Sequence, residues 1–288
     1  MEFTSHKAND LDADSDTYWT PERKAGAKPR SQEDTVELAT PFAPTEIGEP
    51  ESIPGQPPPS GGASASVALQ KTAPVANPEE YPWCTAGKLF FKSDGTDWVG
   101  SACVIKRSLL LTVAHNLYDL KSKDWSTHIL FDPSYTDGAA PFGSWSYDLC
   151  AVPNEWIAGN GYPYDLGVVV MKKGGLSNLD IGNAVGWLGY EINRTYDRSW
   201  VEVGYPANLE GGRCMMSDEG QYTRRLDSGA VVGKQSKFEG GSSGAPWLMY
   251  GNLDMVNGVH SFHRAANPEE GFSVYFVDWV KDFINKYA

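Results

Sequence analysis

Short runs of β-forming residues, punctuated by Gly, Pro, Asn and Asp, recur from Lys88 to Phe276 and constrain the fold of this chain more than any other feature. A first set comprises Lys88–Phe91, Val99–Ile105, Leu109–Val113, His128–Phe131 and Leu166–Met171. A second comprises Ala184–Leu188, Trp200–Val203, Arg213–Met216, Tyr222–Leu226, Ala230–Val232, Trp247–Tyr250, Met255–Val259 and Phe272–Phe276. Two such sets in succession predict an all-β protein of two six-stranded antiparallel barrels, spanning roughly 81–180 and 181–275. The period changes only at the end, where Trp279, Val280, Phe283, Ile284 and Tyr287 recur at three- and four-residue spacing. That spacing predicts one helix over about 277–287, docked on the second barrel by its apolar face.

Three places along this frame carry chemistry. Leu110–His115 sets a histidine at the end of an apolar run, and Tyr164–Val170 sets Asp165 at the mouth of another. Gly240-Gly241-Ser242-Ser243-Gly244-Ala245-Pro246 sets a serine in a glycine-rich loop. A serine hydroxyl becomes a nucleophile when an imidazole takes its proton, and the imidazole needs a carboxylate to hold its tautomer. His115, Asp165 and Ser243 are the candidate triad. The backbone N–H groups of Gly241 and Ser243 are the candidate oxyanion hole, because a side chain at Gly241 would obstruct the turn that aims them at one oxygen. Asp148 competes for the carboxylate role, but only Asp165 runs directly into Leu-Gly-Val-Val.

These motifs, in this order, resemble the chymotrypsin-fold serine proteases, most closely the V8-like glutamyl endopeptidases and related bacterial trypsin-like peptidases. The resemblance covers roughly the last two thirds of the chain and extends to Gly87–Phe91, Gly204–Ala207 and Asn257–Phe262. It implies a secreted serine endopeptidase of protein or peptide substrates, expected to be a monomer working without cofactor or metal. It also implies that Ser261 supports the triad aspartate, that Phe262 begins the edge on which substrate pairs, and that His260 sits in the S1 pocket against a substrate carboxylate. The pattern is incomplete there. A small hydroxyl residue is expected five positions before the nucleophile, and this chain has Phe238, preceded by Lys237. Either Lys237 substitutes as a cation for an acidic P1 residue, or Phe238 fills the pocket and favours another side chain.

Composition divides the chain near residue 80. Residues 1–80 hold eleven of the nineteen prolines and carry fourteen acidic against six basic groups, a net of −8. This predicts a largely disordered segment. In the resembling enzymes a segment bearing a Trp-Thr-Pro-Glu-Arg stretch, like Trp19–Arg23 here, is a pro-region. The division expected is therefore a 1–80 pro-region and an 81–288 protease domain, with an inactive or weakly active precursor. No apolar stretch near Met1 has the length of a signal peptide, so a leader is expected to have been removed.

Other readings narrow. The net charge of −13 and the lack of a basic run argue against nucleic acid, and no apolar stretch of about twenty residues predicts a membrane span. Asp10, Asp12, Asp14 and Asp16 alternate but lack the glycine and distal glutamate of a calcium loop, so they read as a solvated acidic tail. Cys84, Cys103, Cys150 and Cys214 match no zinc spacing and allow three pairings if all are bonded. Asn193-Arg194-Thr195 is a glycosylation sequon. The rival function is a catalytically silent binding protein on the same fold.

Overall fold

The structure is a computed structural model that describes residues 1–9, 15–31, 47–59, 72–226, 230–264 and 267–288. Its first half is a closed barrel of six strands: Ala86–Ser93, Thr96–Lys106, Leu109–Thr112, Thr127–Pro133, Trp145–Pro153 and Gly167–Met171. The first two form a hairpin whose register runs from Ala86↔Cys103 to Ser93↔Thr96. Asp94 and Gly95 make its two-residue turn with φ of 46° and 70°, the left-handed pair that matches strand twist. Trp145–Pro153 closes the barrel by pairing with Thr127–Pro133 on one side and Gly167–Met171 on the other. Trp145, Tyr147 and Leu149 alternate with Ser146 and Asp148, a two-residue strand period that neither expected set of strands includes.

The second half contributes eight strands to a ten-stranded sheet, in the order Phe262–Arg264, Asn267–Val274, Val231–Gln235, Met216–Leu226, Ser199–Gly204, Pro246–Met249, Asn252–Val259 and Gly189–Ile192, and Glu51–Ile53 and Thr72–Pro74 complete it. Strand Met216–Leu226 bends between partners, pairing with Ser199–Gly204 through its first half and Val231–Gln235 through its second. The strand expected over Ala184–Leu188 is instead the end of a short helix, Ile181–Val185. Asp180 precedes this helix, and Gly186 ends it at a φ of 77°, so the local punctuation overrides the β-branched content.

Helix Asp278–Tyr287 buries Val280, Phe283 and Ile284 as its spacing predicts. It touches both Gly167–Met171 and Gly189–Ile192, so it bridges the halves rather than docking on the second alone. Alternate residues of the barrel strands separate into two cores. Leu89, Phe91, Val104, Leu110, Phe131 and Val169 pack with Trp145 and Tyr147. Phe90, Cys103, Ile105, Leu111 and Val168 join Tyr190, Val201, Val256 and Phe283 in a second core that spans both halves.

The described parts of residues 1–80 are not free of this frame. Phe3–Lys7 pairs antiparallel with Leu149–Pro153, and Phe3 stacks on Phe283 at 4.4 Å. Lys28–Pro29 pairs parallel with Trp98–Val99, whereas Glu51–Ile53 pairs antiparallel with Tyr190–Ile192 and Thr72–Pro74 antiparallel with Met216–Asp218. A proline-rich acidic segment buries too little apolar surface to fold alone, yet exposed strand edges offer it backbone partners. Asp10, Asp12 and Asp14 lie outside the described residues; Asp16 accepts a hydrogen bond from Ser146 Oγ at 2.8 Å. Among the described residues no helix is long and apolar enough to cross a membrane. None of the four cysteines forms a disulfide, and burial pushes the Cys84 thiol up to about 12.

Candidate active site

Thr112 ends a barrel strand, and the 3-10 turn Ala114–Asn116 that follows turns His115 into the cleft between the halves. Asp165 ends a second such turn, Tyr162–Tyr164, just before strand Gly167–Met171. Both side chains are buried, at 1% and 0% exposure. Asp165 Oδ2 lies 2.8 Å from His115 Nδ1, and Oδ1 accepts the His115 backbone N–H at 2.9 Å. Ser261 Oγ donates to Oδ2 at 2.5 Å. The carboxylate accepts three hydrogen bonds, and a neutral ring that donates from Nδ1 to it has Nε2 as its acceptor. That atom is buried without a hydrogen-bond partner. Asp148 is half-buried on Trp145–Pro153 and takes no part in this cluster.

Ser243 approaches from the second half on a loop that both halves pin. Its carbonyl accepts from Ser101 N–H at 2.8 Å and from Asn116 Nδ2 at 2.9 Å. Asn116 occupies the position after the histidine. Its amide also donates to Thr112 Oγ1 at 3.1 Å, so it couples the two triad loops. Gly241 has a φ of 93°, and a Cβ there would lie 2.6 Å from the Tyr205 carbonyl oxygen, so only glycine fits. Its N–H donates at 2.7 Å to the carbonyl of Arg30, and Ser243 Oγ lies 3.4 Å from the same oxygen.

A second buried histidine stands behind this loop. His260 Nδ1 lies 2.6 Å from Glu202 Oε1, and Glu202 Oε2 lies 2.9 Å from Lys234 Nζ. Ser236 Oγ donates to Oε2 at 2.8 Å. Burial alone would raise the Glu202 carboxyl, but the Lys234 ammonium and then the His260 ring outweigh it and hold it at about 2. Of the five residues expected to set specificity, the structure puts Ser261 on Asp165 and His260 on Glu202, in separate clusters. Lys237 is exposed, and the cation beside the His260 partner is Lys234. Side chains alternate along an extended strand, so 234 and 236 share a face that 237 does not. Phe238 packs on Met216 and Ala245. Phe262 stacks between Tyr162 at 3.8 Å and Phe272 at 4.9 Å. Glu202, Lys234 and Ser236 were not legible as site residues, although a lone Glu within Trp200–Val203 is a signal, since a carboxylate on a buried strand demands a partner.

The sequon is closed: Asn193 is buried, and its amide donates to Asp278 Oδ1 at 2.7 Å and the Glu49 carbonyl at 3.0 Å. Among the described residues no cluster of His, Cys, Asp and Glu is arranged to hold a metal ion.

No family model matches the chain, and neither does any curated protein. Solved structures do. Protease Anisep from Arthrobacter nicotinovorans superposes with a TM-score of 0.67 at 27% identity, over 75% of this chain and 99% of its own. A thermostable serine protease, AL20, from an extremophilic microorganism gives 0.65 at 24% identity, over 70% and 96%. A Glu endopeptidase gives 0.61 at 20% identity, over 77% and 98%. The chain is a chymotrypsin-fold serine protease, and so a hydrolase of peptide bonds.

Proposed function

We propose that this chain is a serine endopeptidase acting through an acyl-enzyme, made as an exported precursor and preferring an acidic residue on the acyl side of the scissile bond. The observation that carries the triad is the buried Ser261–Asp165–His115 chain, ending in a free acceptor, Nε2, in the cleft that Ser243 enters. Ser243 Oγ attacks the carbonyl carbon while His115 Nε2 takes its proton, and the N–H groups of Gly241 and Ser243 hold the oxyanion. The imidazolium then protonates the leaving amine, and water attacks the acyl ester by the same route. Asp165 orients the ring and balances its charge.

The acidic preference rests on the second cluster. Lys234 already neutralises Glu202, so a protonated His260 gives the site a net positive charge that a substrate carboxylate complements. Treatment with a fluorophosphonate followed by peptide mass spectrometry is expected to place the label on Ser243, and a P1 panel is expected to favour Glu and Asp over Gln and Leu. A folded chain with an intact cleft that never labels would return the silent binding protein.

A further inference from the structure

We propose that residues Trp19–Ser31 are a tethered inhibitor, which fills the oxyanion position of this protease with the Arg30 carbonyl and diverts the proton of Ser243 away from His115. The inference rests on the reading of Ser243 as nucleophile.

The segment is anchored along its length. Trp19 is 4% exposed and its indole N–H donates to the His128 carbonyl at 2.5 Å. Thr20 caps the following turn of helix, Pro21–Gly26, whose Lys24 reaches the buried Asp132 at 2.5 Å. Lys28–Pro29 then runs beside Trp98–Val99, and Arg30 N–H donates to the Val99 carbonyl at 2.8 Å. The Arg30 guanidinium meets Asp119 at 2.7 Å and lies over the Trp98 ring at 4.9 Å. Asp119 is itself fixed by the backbone N–H groups of Lys121 and Ser122, both at 2.8 Å. The clamp therefore has a fixed acceptor, and it holds the same residue whose carbonyl faces the serine.

At the serine the chemistry is that of a blocked site. A hydroxyl has one proton. The Ser243 hydroxyl faces the Arg30 oxygen, which also takes the Gly241 N–H, while His115 Nε2 has no partner. The oxygen thus uses the donor that a substrate carbonyl needs, and the base has no contact with the nucleophile's proton. The chain passes directly over the loop, since a Cβ on Gly240 would lie 3.3 Å from Ser31 Cβ. The segment is also separable from the frame. A cavity of about 410 Å³ lies between Trp19, Lys24 and Pro29 on one side and Val99, Tyr135 and Tyr205 on the other. It is joined to the cleft by polar contacts and one aromatic anchor, and contributes only Trp19 and Ala27 to the core that spans the halves.

The test uses the full chain and two readouts. Arg30→Ala and Asp119→Asn break the clamp from either side, and Trp19→Ala removes the anchor. Fluorophosphonate labelling of Ser243 is expected to quicken about tenfold or more in each, as loss of a partly buried charged hydrogen bond implies. In a Ser243→Ala background, amide exchange of the peptide containing Gly241 is expected to be slow with an intact segment and faster once Arg30 or Asp119 is changed. Equal labelling and equal exchange in all variants overturn the inhibitor while leaving the nucleophile intact. Exchange that responds without any labelling supports the seated segment and overturns the nucleophile. Should Trp19→Ala fail to fold, the Arg30 and Asp119 variants, at the rim of the cleft, carry the same test.

Discussion

The protein buries two histidines against carboxylates, each carboxylate also held by a serine hydroxyl, and the two clusters differ by one cation. At His115 the partner Asp165 has no positive neighbour in contact, so protonating the ring creates a neutral pair in a dry site. At His260 the partner Glu202 is already neutralised by Lys234, so protonating the ring creates a net charge. On the proposed reading, the first arrangement suits a general base, whose carboxylate partner balances the proton the ring takes. The second suits recognition of an acidic side chain, because Lys234 already balances Glu202. Lys234 is the residue by which the two proposed devices differ.

Three changes break or sharpen that contrast. Asp165→Asn is expected to lower kcat about 10⁴-fold with a small effect on KM, because the ring loses the partner that fixes its tautomer; single-turnover kinetics on a good P1 substrate measures it. Glu202→Gln leaves the Lys234 ammonium buried without its partner and is expected to cost about 3–5 kcal/mol in urea unfolding. In the unchanged chain, the same carboxyl is lowered from 4.5 to about 2. Its stabilisation is therefore complete above pH 4.5 and lost as pH falls toward 2, a decline that Glu202→Gln removes from the acid-unfolding profile. The smallest effect is Asn116→Ala, which unpins the Ser243 carbonyl and is expected to destabilise by about 1–2 kcal/mol, read by thermal unfolding.

Much of the fold was legible because its signals are local. The helical spacing from Trp279 to Tyr287 and the glycine-bound Ser243 each declare themselves within a few residues. Trp145–Pro153 also carried a local signal, the alternation of Trp145, Tyr147 and Leu149 with Ser146 and Asp148, but its three pairing partners are set only by the fold. The helix Ile181–Val185 was readable from Asp180 and Gly186, but the β-branched content pointed the other way. Lys237 was a reasonable cation by position, and the strand's two-residue alternation gave the place to Lys234.

By itself the sequence determined the residue types of the candidate triad, their order, the β-rich frame and the closing helix, because periodicity, turn chemistry and glycine's positive φ act over short spans. Tertiary structure alone decided which groups meet across long ones. It brought Glu202 to His260, and it laid Arg30 against Ser243 across a separation of 213 residues. A segment too polar and proline-rich to fold alone took its order from exposed strand edges and a buried indole, partners that exist only once the rest of the chain has folded.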